Sequence, residues 1–174
     1  LPAPSTKTPT KYVSPSGSYL GNSAYTTIQA ALDASVAGDE IAVAPGTYTE
    51  KALFTRSGSL ANPIRVRCAD YSNKPVIDAT TLSTNWVFAD LGSSAIVTMN
   101  AEYCIWDGID VINVRNNNQG SDWGGGTAFK LGAARNNGSF IFNTEKDTWY
   151  KGNRVYRSTV RNCGMAFQTM MSED

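Results

Sequence analysis

Apolar and polar residues alternate along this chain in short bursts, and the bursts recur. Ile64, Val66 and Cys68 alternate with Arg65 and Arg67, so a strand here points the first set inward and the arginines outward. The stretch Tyr103 to Asn113, YCIWDGIDVIN, is repeated in pattern by Asn153 to Asn162. With Trp106 set against Val155, the apolar partners further on are Val111 and Val160, and the copies close on Asn113 and Asn162. The following segment repeats too: Gly126-Thr127-Ala128-Phe129 is echoed by Gly164-Met165-Ala166-Phe167. Strand-sized repeats with asparagine at the corners predict a chain that coils and stacks on itself, an all-β parallel β-helix. Starts of about four coils fall near Ile41, Ile64, Cys104 and Val155.

The remaining pattern fills in the ends. Lys11 to Val13 predicts a short strand, followed by a Ser/Gly-rich turn through Asn22. Thr26-Thr27-Ile28-Gln29 reads as a capping box, with Thr26 as the cap and Gln29 reaching back. Ile28, Ala31, Leu32 and Val36 then mark one apolar helical face, which Gly38 ends. So short a helix needs docking, and an open β-helix needs its first coil covered, so the helix is expected to be an N-terminal cap. Ahead of it, residues 1–10 (LPAPSTKTPT) are expected to be a disordered leader to a β-helix domain spanning residues 11–174. At the other end Val160, Ala166 and Phe167 need a following coil. The domain is therefore expected to be incomplete at its C-terminal end, to be covered by further coils of the same parent protein or by another copy.

Composition narrows the chemistry. Hydrophobic residues make up 41% and charged residues 17% of the chain, a mix suited to short strands and turns. The formal net charge is zero, which gives a nucleic-acid partner no electrostatic support, and no apolar run is of membrane-spanning length. The chain has no histidine, so His-based triads and His-ligated zinc are excluded. Proton transfer must use Lys, Arg, Tyr, Asp or Glu. Cys68, Cys104 and Cys163 fit no zinc spacing; Cys68 and Cys104 either pair across neighbouring coils or remain buried thiols. A Pro- and Thr-rich start, like a mature terminus after signal removal, and the sequon Asn137-Gly138-Ser139 predict a secreted, extracellular glycoprotein.

Several stretches resemble the beginning of secreted right-handed parallel β-helix proteins of the pectate-lyase-like group, which includes polysaccharide lyases. They are YVSPSGS at Tyr12 to Ser18, YTTIQAALDASVAGDEIAVAPGTYTE at Tyr25 to Glu50, SGSLANPIRVR at Ser57 to Arg67, KPVIDA at Lys74 to Ala79, and YCIWDGIDVIN at Tyr103 to Asn113. The resemblance implies cleavage of uronate-containing polymers by β-elimination. A lysine or arginine takes the proton alpha to the uronate carboxylate, and calcium held by aspartates neutralises that carboxylate. It also implies an acidic polysaccharide as partner. The same opening is shared by non-catalytic proteins, so a glycan-binding or assembly module is the alternative. The group's aspartate cluster and catalytic lysine usually lie several coils further on, and no clear Asp-rich calcium motif occurs here.

Candidate site residues follow from outward positions and from an insertion. Asp110 and Thr159 occupy equivalent outward positions, and Asp107 precedes Gly108; with Asp122 they are the candidates for a calcium site, though Asp107 also suits a turn cap. The insertion between Asn113 and Gly126 holds Arg115, Asp122 and Trp123, an aromatic plate beside polar groups that suits a sugar. The alternative is a loop whose Trp123 tucks against the coil below. Lys130 and Arg161 are the candidate catalytic bases, against a reading as solvated charges. Asn113 and Asn162 are expected to form a structural ladder that bonds one coil to the next.

Overall fold

In a computed structural model of this chain, residues 1–80, 94–99, 101–114, 127–132, 152–163 and 165–170 are described. The chain opens with β1 (Lys11–Val13), the hairpin strands β2 (Ser18–Tyr19) and β3 (Asn22–Ser23), and helix α1 (Ile28–Asp33). Four rounds of three strands follow. The first is β4 (Glu40–Val43), β5 (Thr47–Tyr48) and β6 (Ala52–Phe54); the second is β7 (Ile64–Cys68), β8 (Val76–Asp78) and β9 (Ser94–Met99). The third is β10 (Cys104–Asp107), β11 (Asp110–Ile112) and β12 (Thr127–Gly132); the fourth is β13 (Arg154–Tyr156), β14 (Val160–Arg161) and β15 (Met165–Met170).

Each round gives one strand to each of three parallel sheets. The first sheet runs β1-β4-β7-β10-β13, the second β5-β8-β11-β14 and the third β6-β9-β12-β15. The chain thus visits the sheets in the same order four times, always pairing with the round before. Alternation fixes the register, because a slip of one residue would turn every core side chain outward. Ile41, Val66, Trp106 and Val155 accordingly form one column. Val111 pairs with Val160, and Phe129 with Phe167, as the repeats predict. Coil starts expected near Ile41, Ile64, Cys104 and Val155 coincide with β4, β7, β10 and β13.

The core lies between the three sheets. Phe54 meets Trp106 edge-on at 6.1 Å, and the buried indole nitrogen donates to Thr98 Oγ1 at 3.1 Å. α1 adds buried Ile28, Ala31 and Leu32 to the same cluster, against β1 and β6. Its cap is Thr27 rather than Thr26: Thr27 Oγ1 accepts from Ala30 N at 3.1 Å. The expected capping box is absent because Gln29 is used elsewhere. Its amide donates to Leu53 O at 3.0 Å and accepts from Leu53 N at 2.7 Å, pairing with β6 as a strand would. Glu50 takes up the helix's free amides instead, accepting from Ile28 N at 2.8 Å and Gln29 N at 2.9 Å. The helix stops at Asp33, so Val36 leaves the apolar face and is 62% exposed.

Corners between strands use left-handed backbone. Asn113 (φ 61°) and Asn162 (φ 53°) sit at one corner, where asparagine tolerates this region better than most residues. Asn162 Nδ2 donates to Asn113 Oδ1 at 2.6 Å, and Asn113 Nδ2 donates to Asp78 Oδ1 at 3.0 Å. The ladder expected from the sequence therefore runs through three rounds, on the outside of the corner. Another corner holds Gly108 (φ 74°) in the third round and Arg157 (φ 51°) in the fourth. Glycine is needed in the third round, since a Cβ there would lie 2.5 Å from Cys68 Sγ.

All three cysteines are free thiols. Cys68 and Cys104 are in neighbouring strands, but Cys104 stands opposite Ile64, four positions from Cys68. At about 3.3 Å rise per residue the two lie too far apart to bridge. Among the described residues, no helix is long and apolar enough to cross a membrane.

Candidate functional site

The outer face of the first sheet gathers most of the chain's patterned charge. Outward positions on β4, β7, β10 and β13 bring Glu40 beside Arg65, and Arg67 beside Asp107 and then Tyr156. Arg67 Nε donates to Glu40 Oε1 at 2.8 Å, and Arg65 Nη1 to Asp107 Oδ2 at 3.1 Å. From the corner after β13, Arg157 Nε donates to Asp107 Oδ1 at 2.6 Å and Arg157 Nη2 to Asp107 Oδ2. Asp107 is 0% exposed, so both its oxygens spend their charge on two guanidinium groups.

Aromatic rings complete this face. The Arg157 guanidinium carbon lies 5.3 Å from the Tyr71 ring centre and 5.6 Å from that of Tyr156. The Tyr71 hydroxyl is pushed up to about 12, first by burial and then by the charge of Asp107. Arg154 is exposed on the same face, its Nη1 donating to the Tyr156 hydroxyl at 3.2 Å. Four arginines (Arg65, Arg67, Arg154, Arg157) stand against two carboxylates (Glu40, Asp107), a surplus of two positive charges. Arranged this way, the face can hold a carboxylate-bearing ligand beside flat apolar rings.

A second cluster ties the second, third and fourth rounds together. Lys74 Nζ donates to Asp110 Oδ1 at 2.9 Å, to Arg157 O at 2.9 Å and to Thr159 Oγ1 at 3.4 Å. Thr159 N donates to Asp110 Oδ1 at 2.7 Å, as their equivalent positions suggest.

The residues singled out in the sequence are distributed as follows. Asp107 and Asp110 lie on different sheets, β10 in the first and β11 in the second. Calcium needs about six to eight oxygens free to converge. Asp107 is taken by Arg65 and Arg157 and Asp110 by Lys74, so as placed these two do not fit that ion. No group of three or more Cys, Asp or Glu residues that could hold a metal occurs among the described residues. Arg161, on β14, is exposed. Lys130, on β12 opposite Val97 and Gln168, belongs to the third sheet. Arg115, Asp122 and Trp123 lie outside the described residues.

Sequence reasoning passed over Arg65, Arg67, Arg157, Lys74 and Tyr71. Arg65 and Arg67 were legible as outward, but not their partners. The one local hint at Arg157 is that it stands, two places after Val155, where Gly108 stands after Trp106.

No family model and no curated protein matches the chain. Among solved structures it is similar in fold to a protein described as rhamnogalacturonan lyase, with a TM-score of 0.59 and 15% sequence identity. The likeness covers 88% of this chain and 51% of the other, so the chain spans about half the length of that protein.

Proposed function

We propose that this chain is a right-handed parallel β-helix, all or part of a secreted polysaccharide lyase that cleaves uronate-containing polymers by β-elimination. The observation that carries the reading is the likeness in fold to rhamnogalacturonan lyase over 88% of the chain. The recurrence of three parallel sheets, visited in one order by four rounds, supports the β-helix. The arginine surplus and the tyrosine rings on the first sheet support an acidic glycan as ligand.

In β-elimination a base takes the proton alpha to the uronate carboxylate and the glycosidic oxygen leaves from the adjacent carbon. Without histidine in the chain, lysine and arginine are the natural bases. Lys130 and Arg161 are the residues this proposal assigns to that work, with Arg115 and Trp123 holding sugar. Calcium is given no step, since Asp107 and Asp110 are committed to cationic partners and Asp122, the third aspartate proposed for it, lies outside the described residues.

One observation favours the second reading, a non-catalytic glycan-binding or assembly module. Arg65, Arg157 and Lys74 are each tied into an ion pair, and the assigned bases Arg161 and Lys130 lie on the second and third sheets rather than with the arginines of the first. Incubation with pectate, alginate or rhamnogalacturonan in the presence of calcium separates the two. Rising ultraviolet absorbance from unsaturated products is expected for the lyase; binding without absorbance on all three polymers leaves the module.

A further inference from the structure

We infer that Arg67 and Arg157 form an anchor for the carboxylates of an acidic glycan on the first sheet, and that residues 2–7 of the chain itself cover it. The inference rests on the acidic-polysaccharide reading given above. Arg157 Nη1 donates to Pro2 O at 2.6 Å, and Arg67 Nη2 donates to Lys7 O at 3.3 Å. Every other nitrogen of these two groups is pinned from behind. Arg157 Nε and Nη2 are held by Asp107; Arg67 Nε is held by Glu40 at 2.8 Å and Nη1 by Cys68 O at 3.0 Å. Each guanidinium therefore keeps one nitrogen turned toward whatever lies over the sheet, already oriented and with little freedom left to lose.

The spacing suits a polymer. Arg67 belongs to the second round and Arg157 to the fourth, so strand separation puts them about 10 Å apart along the stack. The Tyr71 and Tyr156 rings flank Arg157, and Arg154 is exposed beside them.

What covers the anchor is weakly held. Residues 1–4 and 6–8 are exposed, and only Ser5 and Pro9 of the first nine are half-buried. Its grips on the two arginines are neutral carbonyl oxygens. A carboxylate in the same place adds a full negative charge opposite each guanidinium, which a carbonyl lacks. Keeping the peptide in place also costs conformational entropy at every residue. Pro2 and Pro4 lower that cost by fixing the backbone in advance, so they tune how readily the strap yields.

The test uses the full chain and a galacturonate trimer. In the double variant Pro2→Gly with Pro4→Gly, the loosened strap is expected to let the trimer bind about three- to tenfold more tightly by calorimetry. In the parent, adding trimer is expected to shift the amide resonances of Ala3, Ser5 and Thr6 toward those of mobile peptide. Affinity is expected to fall as salt is added. If the trimer binds parent and variant equally and those amides do not respond, the strap covers no glycan site, while the polysaccharide reading stands. If neither chain binds the trimer, pectate, alginate or rhamnogalacturonan, both fall together.

Discussion

Arg157 reaches from the fourth round to Asp107 in the third and holds both its carboxylate oxygens, from a corner where its backbone is left-handed at φ 51°. A left-handed conformation costs a non-glycine residue about 1–2 kcal/mol. The buried, two-nitrogen pairing with Asp107 offsets that cost, and Arg65 neutralises the same carboxylate from the second round. One aspartate thus fastens three rounds together.

Asp107→Ala is expected to lower unfolding stability by about 3–5 kcal/mol, because it leaves Arg157 without its carboxylate, and Arg65 with only Glu40 at 3.7 Å, beside a buried gap. Urea denaturation checks this. A loss below about 1 kcal/mol would mean that the pair is no stronger than a surface one.

At the outer corner, Asn162→Leu is expected to cost about 1–3 kcal/mol, from the left-handed backbone and the lost bond to Asn113. Asn162→Gly keeps the backbone at ease and loses only the amide, so it should cost less. Thermal unfolding with the two in reverse order would show that the left-handed backbone at this corner does not set the cost.

Glu50 makes stability depend on pH in an unusual direction. Burial raises its pKa above the ordinary 4.5, more than the amides of Gln29 and Ile28 lower it. The folded state therefore holds this proton more tightly than the unfolded chain does. Its contribution is fully present below pH 4.5 and is lost as pH rises through the folded value. Asp39 acts oppositely: although burial alone would raise it, bonds to Lys11, Val36 and Thr10 lower it below 3.8, so its contribution is lost only in stronger acid. Glu50→Gln is expected to flatten the stability profile just above pH 4.5 and to leave the acid limb unchanged. A parent profile that already lacks the slope would remove Glu50 as its source.

The fourth round is the least covered. Val155, Val160 and Cys163 are only partly buried against the core, whereas Trp106 and Val111, in register with the two valines, are fully buried. Among the described residues no strand pairs with the far edges of β13, β14 and β15. Such edges join other strands by default. The 174-residue chain by itself is expected to self-associate in sedimentation experiments; a stable monomer that binds little apolar dye would show these edges to be covered.

The sequence alone determined the repeating strands such as Ile64–Cys68 and Cys104–Asp107, their inward and outward faces and the corner asparagines, but not the hairpin β2/β3 or β6. Each of these is local, because a strand's faces follow from alternation and a left-handed corner selects Asn or Gly. Repetition carried that local information further: equivalent positions in successive rounds had to stack, which placed Trp106 on Val155 and Asp110 on Thr159. The tertiary structure decided what the charges do. Asp107 meets Arg65 and Arg157 from 42 and 50 residues away, and Pro2 meets Arg157 across 155. Alternation says that Arg65 and Arg67 point outward, but the partners waiting there depend on the lengths of the loops between rounds. Those lengths leave no periodic trace, so an aspartate that reads as a metal ligand in the chain becomes, once folded, the counter-charge of two arginines.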